Sequence, residues 1–227
     1  MIVCALAAVF ACKINTDLEQ PVAIEITLPD SGRVEVTDTF RPRGRALNGV
    51  GDSVQAQLSW SSLDTATLAV LDSTTGVSIS KAVGTARLQA RIGSLFSNPQ
   101  TVTVLARLDS LRASGATRNT VFVTPVPPDT AADSLSDSLS VQAYALAGAI
   151  PVNRRVVYAI TIFPDSGSVL TLVPKDTVFT NAAGVASTRL RLHPGPVPDS
   201  VVVTATMRHV NGTVVPDSVT FVVEFRQ

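Results

Sequence analysis

The feature that most restricts the fold of this chain is a period-two alternation of apolar and polar residues from residue 21 onward. Three stretches show it clearly: SVQAQLSWSS, TARLQARI and SVTFVVEF. This period indicates strands with one buried and one wet face. The residues predicted to face inward are Val54, Ala56, Leu58 and Trp60 in the first stretch, Ala86, Leu88, Ala90 and Ile92 in the second, and Val219, Phe221, Val223 and Phe225 in the third.

Turn-forming stretches separate these runs, among them LPDSGR, LDSTTGV, TNAAGV and HVNGTV. Asn211-Gly212 between two valine-rich runs predicts a hairpin with a type I′ turn. We find no convincing amphipathic helix of ten residues. The sequence therefore predicts an all-β protein made of sandwiches or barrels.

The length of 227 residues leaves room for one large domain or two smaller ones. With 45% hydrophobic residues the chain can form a packed core. One series of strands closes with TVTVLA, so we predict domains at 22–106 and 107–227. No long flexible linker separates them, which predicts end-to-end domains with limited swing. The stretch TPVPPDTAADSLSDSLS is predicted to be a surface loop.

The first twelve residues, MIVCALAAVFAC, form an apolar run that ends at a cysteine. This run is shorter than the roughly 20 residues of a membrane-spanning helix, but it suits a secretory signal whose apolar region has about 7–15. We expect residues 1–11 to be a signal peptide and residues 12–21 a polar tether. The alternative is a buried first strand in which Cys4 and Cys12 are free thiols.

The VFAC segment resembles the cleavage site of bacterial lipoproteins, with Val9 and Ala11 before Cys12. The resemblance implies cleavage before Cys12 and its lipidation, which would attach the chain to a membrane. Phe10 departs from the family pattern, because it is bulkier than the residue usually found at that position. The basic region of a signal peptide is also missing, since no Lys or Arg precedes Lys13, and we expect the natural start to lie upstream of Met1. Because Lys13 stands where Asp would imply inner-membrane retention, the resemblance implies the outer membrane and cell surface.

Two longer stretches resemble bacterial immunoglobulin-like (Ig-like) domains. Residues 22–106 resemble group 2 domains, in which a Trp strand precedes Ser-Ser and a Gly-Thr-Ala strand follows, as at Trp60 and Gly84. Residues 107–227 resemble the group 1 domains of invasin and intimin type surface proteins, through GAIPVNRRVVY, TNAAGVASTRLRL and VVVTAT. The resemblance implies two tandem Ig-like β-sandwiches and brings no catalytic residues.

Few residues are candidates for catalysis or metal binding. His193 and His209 are predicted to be solvent-exposed loop histidines, and neither lies beside a nucleophile motif. Asp129, Asp133 and Asp137 are weak calcium candidates, because their spacing of four does not match an EF-hand loop. A solvated acidic loop is the simpler interpretation. We therefore predict no enzyme, no metal site and no cofactor.

The net charge argues against nucleic acid as a partner. The chain has 18 Lys and Arg and 18 Asp and Glu, so it lacks the excess of positive charge that binding to phosphates requires. The first hypothesis is a non-catalytic, lipid-anchored cell-envelope protein that acts as a spacer, adhesion module or surface-assembly scaffold. Its partners would be the membrane and an unknown protein or glycan. The alternative is a carbohydrate-binding accessory module in which Trp60 stacks on a sugar, although its inward position favours core packing. An enzyme with an unrecognised site is the third reading.

Overall fold

The computed structural model describes residues 19–123, 134–163 and 169–226. Within these ranges the chain consists of β-strands, loops and two short 3-10 turns, Pro29–Gly32 and Leu146–Gly148. The prediction of an all-β protein is confirmed. None of the described residues form a helix that is long and apolar enough to cross a membrane.

Residues 23–105 form a body that we call the first domain. Its strands are short, apart from one of nine residues that carries the alternating TARLQARI sequence. They are β1 (Ala23–Thr27), β2 (Arg33–Glu35), β3 (Thr39–Phe40), β4 (Arg43–Leu47), β5 (Ser53–Val54), β6 (Ser59–Ser62), β7 (Leu68–Val70), β8 (Ser78–Ser80), β9 (Gly84–Ile92), β10 (Leu95–Phe96) and β11 (Gln100–Leu105).

Three sheets make up the first domain. The largest has the order β10-β9-β11-β2, and β6 also pairs with β9. The other two have the orders β1-β4-β5 and β3-β8-β7. The pairing between β2 and β11 is parallel and sets Val34 opposite Val104, whereas the other pairs in this domain are antiparallel.

Residues 108–226 form the second domain, whose strands are mostly longer. They are β12 (Leu108–Ala113), β13 (Arg118–Phe122), β14 (Ser134–Leu135), β15 (Leu139–Ala145), β16 (Arg155–Phe163), β17 (Leu170–Val173), β18 (Thr177–Phe179), β19 (Val185–Leu192), β20 (Ser200–Met207) and β21 (Val219–Arg226).

Two layers face each other in the second domain. One sheet has the order β13-β21-β20-β16-β18, and the other joins β12, β15 and β19, with β14 and β17 also paired to β19. The two layers are linked by Tyr158 of β16, whose hydroxyl donates to the Ala186 carbonyl of β19 at 2.9 Å. Burial raises the pKa of Tyr158, so its phenol stays protonated and keeps this hydrogen bond.

Buried apolar side chains form one cluster in each domain. The predicted inward faces of β9 and β21 are confirmed, except that Ile92 is only half-buried. The first cluster contains Val34, Phe40, Trp60, Leu68, Ala86, Leu88, Ala90, Val102 and Val104. The second is larger and includes Leu111, Leu139, Val156, Tyr158, Leu190, Val203, Met207, Phe221 and Val223.

The stretch 53–62, predicted as one strand, is divided in the structure. β5 pairs with β4 in one sheet, whereas β6 pairs with β9 in another. Residues 55–58 carry the chain between these sheets without strand pairing. The alternation still holds along the stretch, because 54, 56 and 58 are half-buried while 55 and 57 are exposed. The pattern thus predicted the buried face but not the change of sheet.

Candidate functional site

The two domains meet around a connection of only two residues. β11 ends at Leu105 and β12 begins at Leu108, so Ala106 and Arg107 span the gap. Arg107 forms an ion pair with Asp38 of the first domain, and both side chains are partly exposed. This connection leaves little chain for independent movement and brings loops from both domains together.

Glu35 lies at the centre of the contact between the domains. It is the last residue of β2, where neighbouring Val34 points into the first core. Strand alternation turns Glu35 to the opposite face, which the second domain covers so completely that the side chain is 0% exposed. A buried carboxylate requires hydrogen-bond donors and a compensating charge, and both come from across the junction.

The Glu35 carboxylate accepts hydrogen bonds from two side chains of the second domain. Arg154 donates through Nη2 to Oε1, and His209 lies with Nδ1 2.7 Å from Oε2. Because an ionised carboxylate can only accept, His209 Nδ1 carries the hydrogen in this pair. The backbone N–H groups of Val210 and Leu108 approach the same carboxylate at 3.4 Å. We call Glu35, Arg154 and His209 the junction triad.

Arg154 is fixed by the second domain before it reaches Glu35. Its backbone N–H donates to Thr180 Oγ1 at 2.8 Å, and the Thr180 hydroxyl donates onward to the Pro151 carbonyl. The guanidinium also donates to the Ala106 carbonyl at 3.1 Å, so it contacts the connection as well as the first domain. Its side chain is 4% exposed, which makes it a buried charge paired with Glu35.

The pKa of Glu35 reflects these opposing influences. Burial raises it, but hydrogen bonds from His209 and Arg154, together with their charges, outweigh burial and bring the pKa below its usual range. The junction triad therefore holds Glu35 as a carboxylate. The carboxylate of the first domain thus has its compensating charge in the second domain.

His209 was predicted to be an exposed loop residue, and the structure shows this prediction to be wrong. Its side chain is 9% exposed because the first domain covers it and Glu35 pairs with it. In the described part of the chain, no hydroxyl or thiol side chain hydrogen-bonds to the His209 ring, so the His–Glu pair lacks an adjacent nucleophile. His193 is half-buried, with Nε2 2.9 Å from Thr171 Oγ1.

The hairpin loop beside His209 also differs from the prediction. A type I′ turn needs positive φ at both Asn211 and Gly212, but only Gly212 has it, at 85°. The Gly212 N–H donates to the His209 carbonyl, and the His209 N–H donates to the Thr213 carbonyl. The loop is therefore one residue longer than predicted. This places the Val210 N–H near Glu35.

The other predicted site residues do not meet at the junction. Cys12, Asp129 and Asp133 lie outside the described residues, and Asp137 is exposed. Across residues 19–123, 134–163 and 169–226, no three His, Cys, Asp or Glu side chains are grouped so as to hold a metal ion. The lipidation and calcium assignments stay predictions.

Trp60 is not available as a platform for a sugar. It is 4% exposed and belongs to the first core, as its inward position predicted. A Cβ at Gly76 would lie 2.8 Å from the indole ring, and one at Gly44 would lie 2.9 Å from it. Glycine at both positions lets the backbone cover the ring, so sugar stacking on Trp60 would require the core to open.

Sequence reasoning missed Glu35 and Arg154. In RVEV, Glu35 has the wet-face position of an alternating strand, and only a second domain makes that position buried. Arg154 occurs in the turn-like PVNRRV, where an arginine is ordinarily solvated. Their common signal is position, because each lies near an end of a strand that faces the predicted boundary.

No known family profile matches the chain, and no curated protein matches it. Among solved structures it is similar to domains 4 and 5 of the S-layer protein SbsC, with 11% identity, 92% of this chain and 100% of that chain covered, and a TM-score of 0.34. The chain is also similar to the Yersinia pseudotuberculosis adhesin InvE, with 19% identity and a TM-score of 0.37. This match covers 86% of this chain and 58% of that chain. A third similar structure is a glycosyl hydrolase family 2 member from Bacteroides cellulosilyticus, with 10% identity and a TM-score of 0.30. This match covers 85% of this chain and 23% of that chain. TM-scores this low support no statement about the function of this chain.

Proposed function

We propose that this chain is a non-catalytic, lipid-anchored cell-envelope protein whose two Ig-like domains act as a stiff spacer at the cell surface. The spacer would carry an adhesion or assembly surface away from the membrane. The junction triad is the observation that carries this proposal, because it ties one domain to the other through buried, charged side chains. The VFAC segment at Cys12 supports the lipid anchor.

The course of the chain suits a spacer. β2 and β11 both end at the junction, so β1, which precedes β2, begins toward the opposite end of the first domain. β20 ends two residues before His209, and β21 returns antiparallel to it, so Arg226 lies toward the far end of the second domain. Ala23 and Arg226 therefore lie toward opposite ends of the two-domain unit.

The energetics of the junction favour stiffness. Removing one partner of a buried ion pair typically costs about 3–5 kcal/mol, because the other charge stays buried without compensation. Bending at the junction would separate Glu35 from Arg154, and it would therefore carry a similar energetic cost. The Arg107–Asp38 ion pair adds a second contact at the connection, although its partial exposure makes it weaker.

Small-angle X-ray scattering of the full chain tests the spacer. We expect the scattering of the wild type to fit one elongated particle, and that of Glu35→Ala to require several interdomain orientations. Glu25→Ala is the matched control, because Glu25 pairs with Arg45 in an exposed ion pair of the same domain. Equal flexibility of the wild type and Glu35→Ala would contradict the spacer.

Mass spectrometry of the chain from a membrane fraction tests the anchor separately. We expect a mature chain that begins at Cys12 and carries acyl groups, and an unprocessed chain for Cys12→Ser. An unmodified Cys12 in cells with lipoprotein-processing enzymes would contradict the anchor and leave the spacer to the scattering experiment.

A further inference from the structure

An open cleft of about 720 Å³ lies between the two domains beside the junction triad. Asp30, Ser31 and Arg33 line it from the first domain. From the second domain its lining includes Arg155, Val157, Phe179, Thr206 and Arg208. A cleft of about 300–1,000 Å³ matches the size of sites that hold small organic ligands, and domain interfaces are a common place for them.

The charge of the cleft is unlike that of the whole chain. The chain has equal numbers of basic and acidic residues. In the cleft, Arg33, Arg155 and Arg208 are exposed, and Asp30 is the one acidic residue among the described lining. The charge of Arg154 is balanced by Glu35 within the junction triad. The cleft therefore has an excess of positive charge that an anion would neutralise.

Two of these arginines lie next to each other on neighbouring strands. Val156 of β16 pairs with Met207 of β20, so Arg155 and Arg208 are the adjoining residues beyond that pair. Like charges at such positions repel and destabilise a sheet. No carboxylate in the described ranges pairs with either guanidinium, and Arg208 donates only to the Gly212 carbonyl, at 2.8 Å. A bound anion would relieve the repulsion through charge-assisted hydrogen bonds.

The remaining lining suits a carbohydrate. Phe179 is 53% exposed and presents an apolar ring beside the arginines, on which the C–H faces of a sugar could pack. Ser31 and Thr206 supply hydroxyl groups on opposite walls. The junction triad fixes the two walls relative to each other, so little orientational freedom is lost on binding.

We propose that this cleft binds an acidic oligosaccharide, with the carboxylates or other anionic groups on Arg33, Arg155 and Arg208 and a sugar ring on Phe179. The ligand chemistry is a chain of sugars with at least two anionic groups, because the three arginines come from both walls. This site differs from the Trp60 platform of the earlier alternative, and it does not depend on the lipid anchor.

Isothermal titration calorimetry with the full chain and tetragalacturonic acid tests the proposal. We expect binding of this tetramer and none of its neutral galactose counterpart. Losing two charge-assisted contacts in Arg155→Gln/Arg208→Gln should weaken binding at least about tenfold. Arg189→Gln is the control, since Arg189 is exposed on β19 of the other sheet of the same domain, and it should change affinity less than twofold, an order-of-magnitude expectation for a distant surface charge.

Arg33→Gln keeps the test decisive if the double variant fails to fold, because it removes a cleft charge from the other domain. It should also weaken binding, whereas its thermal unfolding should match that of the wild type. No binding of tetragalacturonic acid, or equal weakening by Arg189→Gln, would overturn the site. Equal affinity for tetraglutamate or inorganic phosphate would overturn the preference for a saccharide.

Discussion

The second domain encloses twenty buried apolar side chains in its core cluster, whereas the first domain encloses nine, counted over the described residues. The larger cluster removes more apolar surface from water, so we expect a larger free energy of unfolding for the second domain. The strands differ in the same direction, since β15, β16, β19, β20 and β21 each have seven to nine residues, whereas only β9 reaches that length in the first domain. A small core makes the first domain more dependent on its neighbour.

The first domain depends on the second domain through the charged contacts of the junction. Glu35 belongs to the first domain, but its compensating partners Arg154 and His209 belong to the second. If the second domain unfolded, Glu35 would lose these partners. If the first domain unfolded, Arg154 would lose its carboxylate. The following predictions test how far the domains differ and how strongly they are coupled.

The largest effect is expected in the core of the second domain. Phe221 is 0% exposed, and Phe221→Ala should lower the free energy of unfolding of that domain by about 3–5 kcal/mol. Trp60, the single tryptophan, lies in the first domain, so its fluorescence in urea follows that domain while far-UV circular dichroism follows both. The lower free energy of unfolding of Phe221→Ala should appear in circular dichroism as a transition of the second domain at lower urea.

Leu88→Ala is the matched change in the first core, where Leu88 is also 0% exposed. It should move the Trp60 transition to lower urea and leave the later transition in place. Coincident fluorescence and circular dichroism transitions in the wild type would show one cooperative unit, contrary to the contrast drawn between the domains.

Breaking the junction should have the next largest effect. Glu35→Ala leaves the buried charge of Arg154 without a compensating carboxylate, and we expect it to cost about 3 kcal/mol. It should also widen the gap between the two urea transitions, because the domains lose their buried ion pair while the partly exposed Arg107–Asp38 pair remains. A cost close to that of the exposed Glu25→Ala variant would mean that Glu35 contributes no coupling.

A smaller effect is expected from acid. Glu35 has a lowered pKa in the folded protein, so its ionisation contributes stability above the unfolded value of about 4.5. That contribution is lost as the pH falls through the lower, folded pKa. The free energy of unfolding, measured by Trp60 fluorescence between pH 7 and pH 3, should therefore fall more steeply for the wild type than for Glu35→Ala. Parallel curves would refute a role for Glu35 ionisation.

The smallest effect is expected at an exposed ion pair of good geometry. Arg87 contacts Asp64 through Nε at 3.0 Å and Nη2 at 3.1 Å, and these contacts lower the pKa of Asp64. Solvent screens such pairs, so Asp64→Asn should leave the urea midpoint nearly unchanged. A shift as large as that of Glu35→Ala would show that burial does not distinguish the two ion pairs.

The sequence could predict those parts of the fold that depend on local alternation. β9 and β21 bury the predicted side chains because their alternate positions pack within their own domain. The change of sheet between β5 and β6 has no local signal, since the alternation continues through residues 55–58 without strand pairing. The turn at Asn211-Gly212 was located correctly but given the wrong type.

The candidate site could not be predicted from the sequence, for a related reason. Glu35, Arg154 and His209 are each polar residues at strand ends, where solvent exposure is the ordinary expectation. Their burial depends on contacts between residues 119 and 174 positions apart in the chain. The basic cleft has the same origin, because Arg33 and Arg155 become neighbours in one lining only when the domains dock.

The parallel pairing of β2 with β11 determines how the first domain would respond to mechanical tension. A pull on the chain before β1 acts on β2 from one end of the domain, while a pull transmitted from the second domain acts on β11 from the other. The hydrogen bonds of this pair, including Val36 N–H to the Leu105 carbonyl at 2.9 Å, would then be loaded together in shear. We expect higher rupture forces for pulling along this axis than for peeling β1 from β4, which single-molecule force spectroscopy can measure.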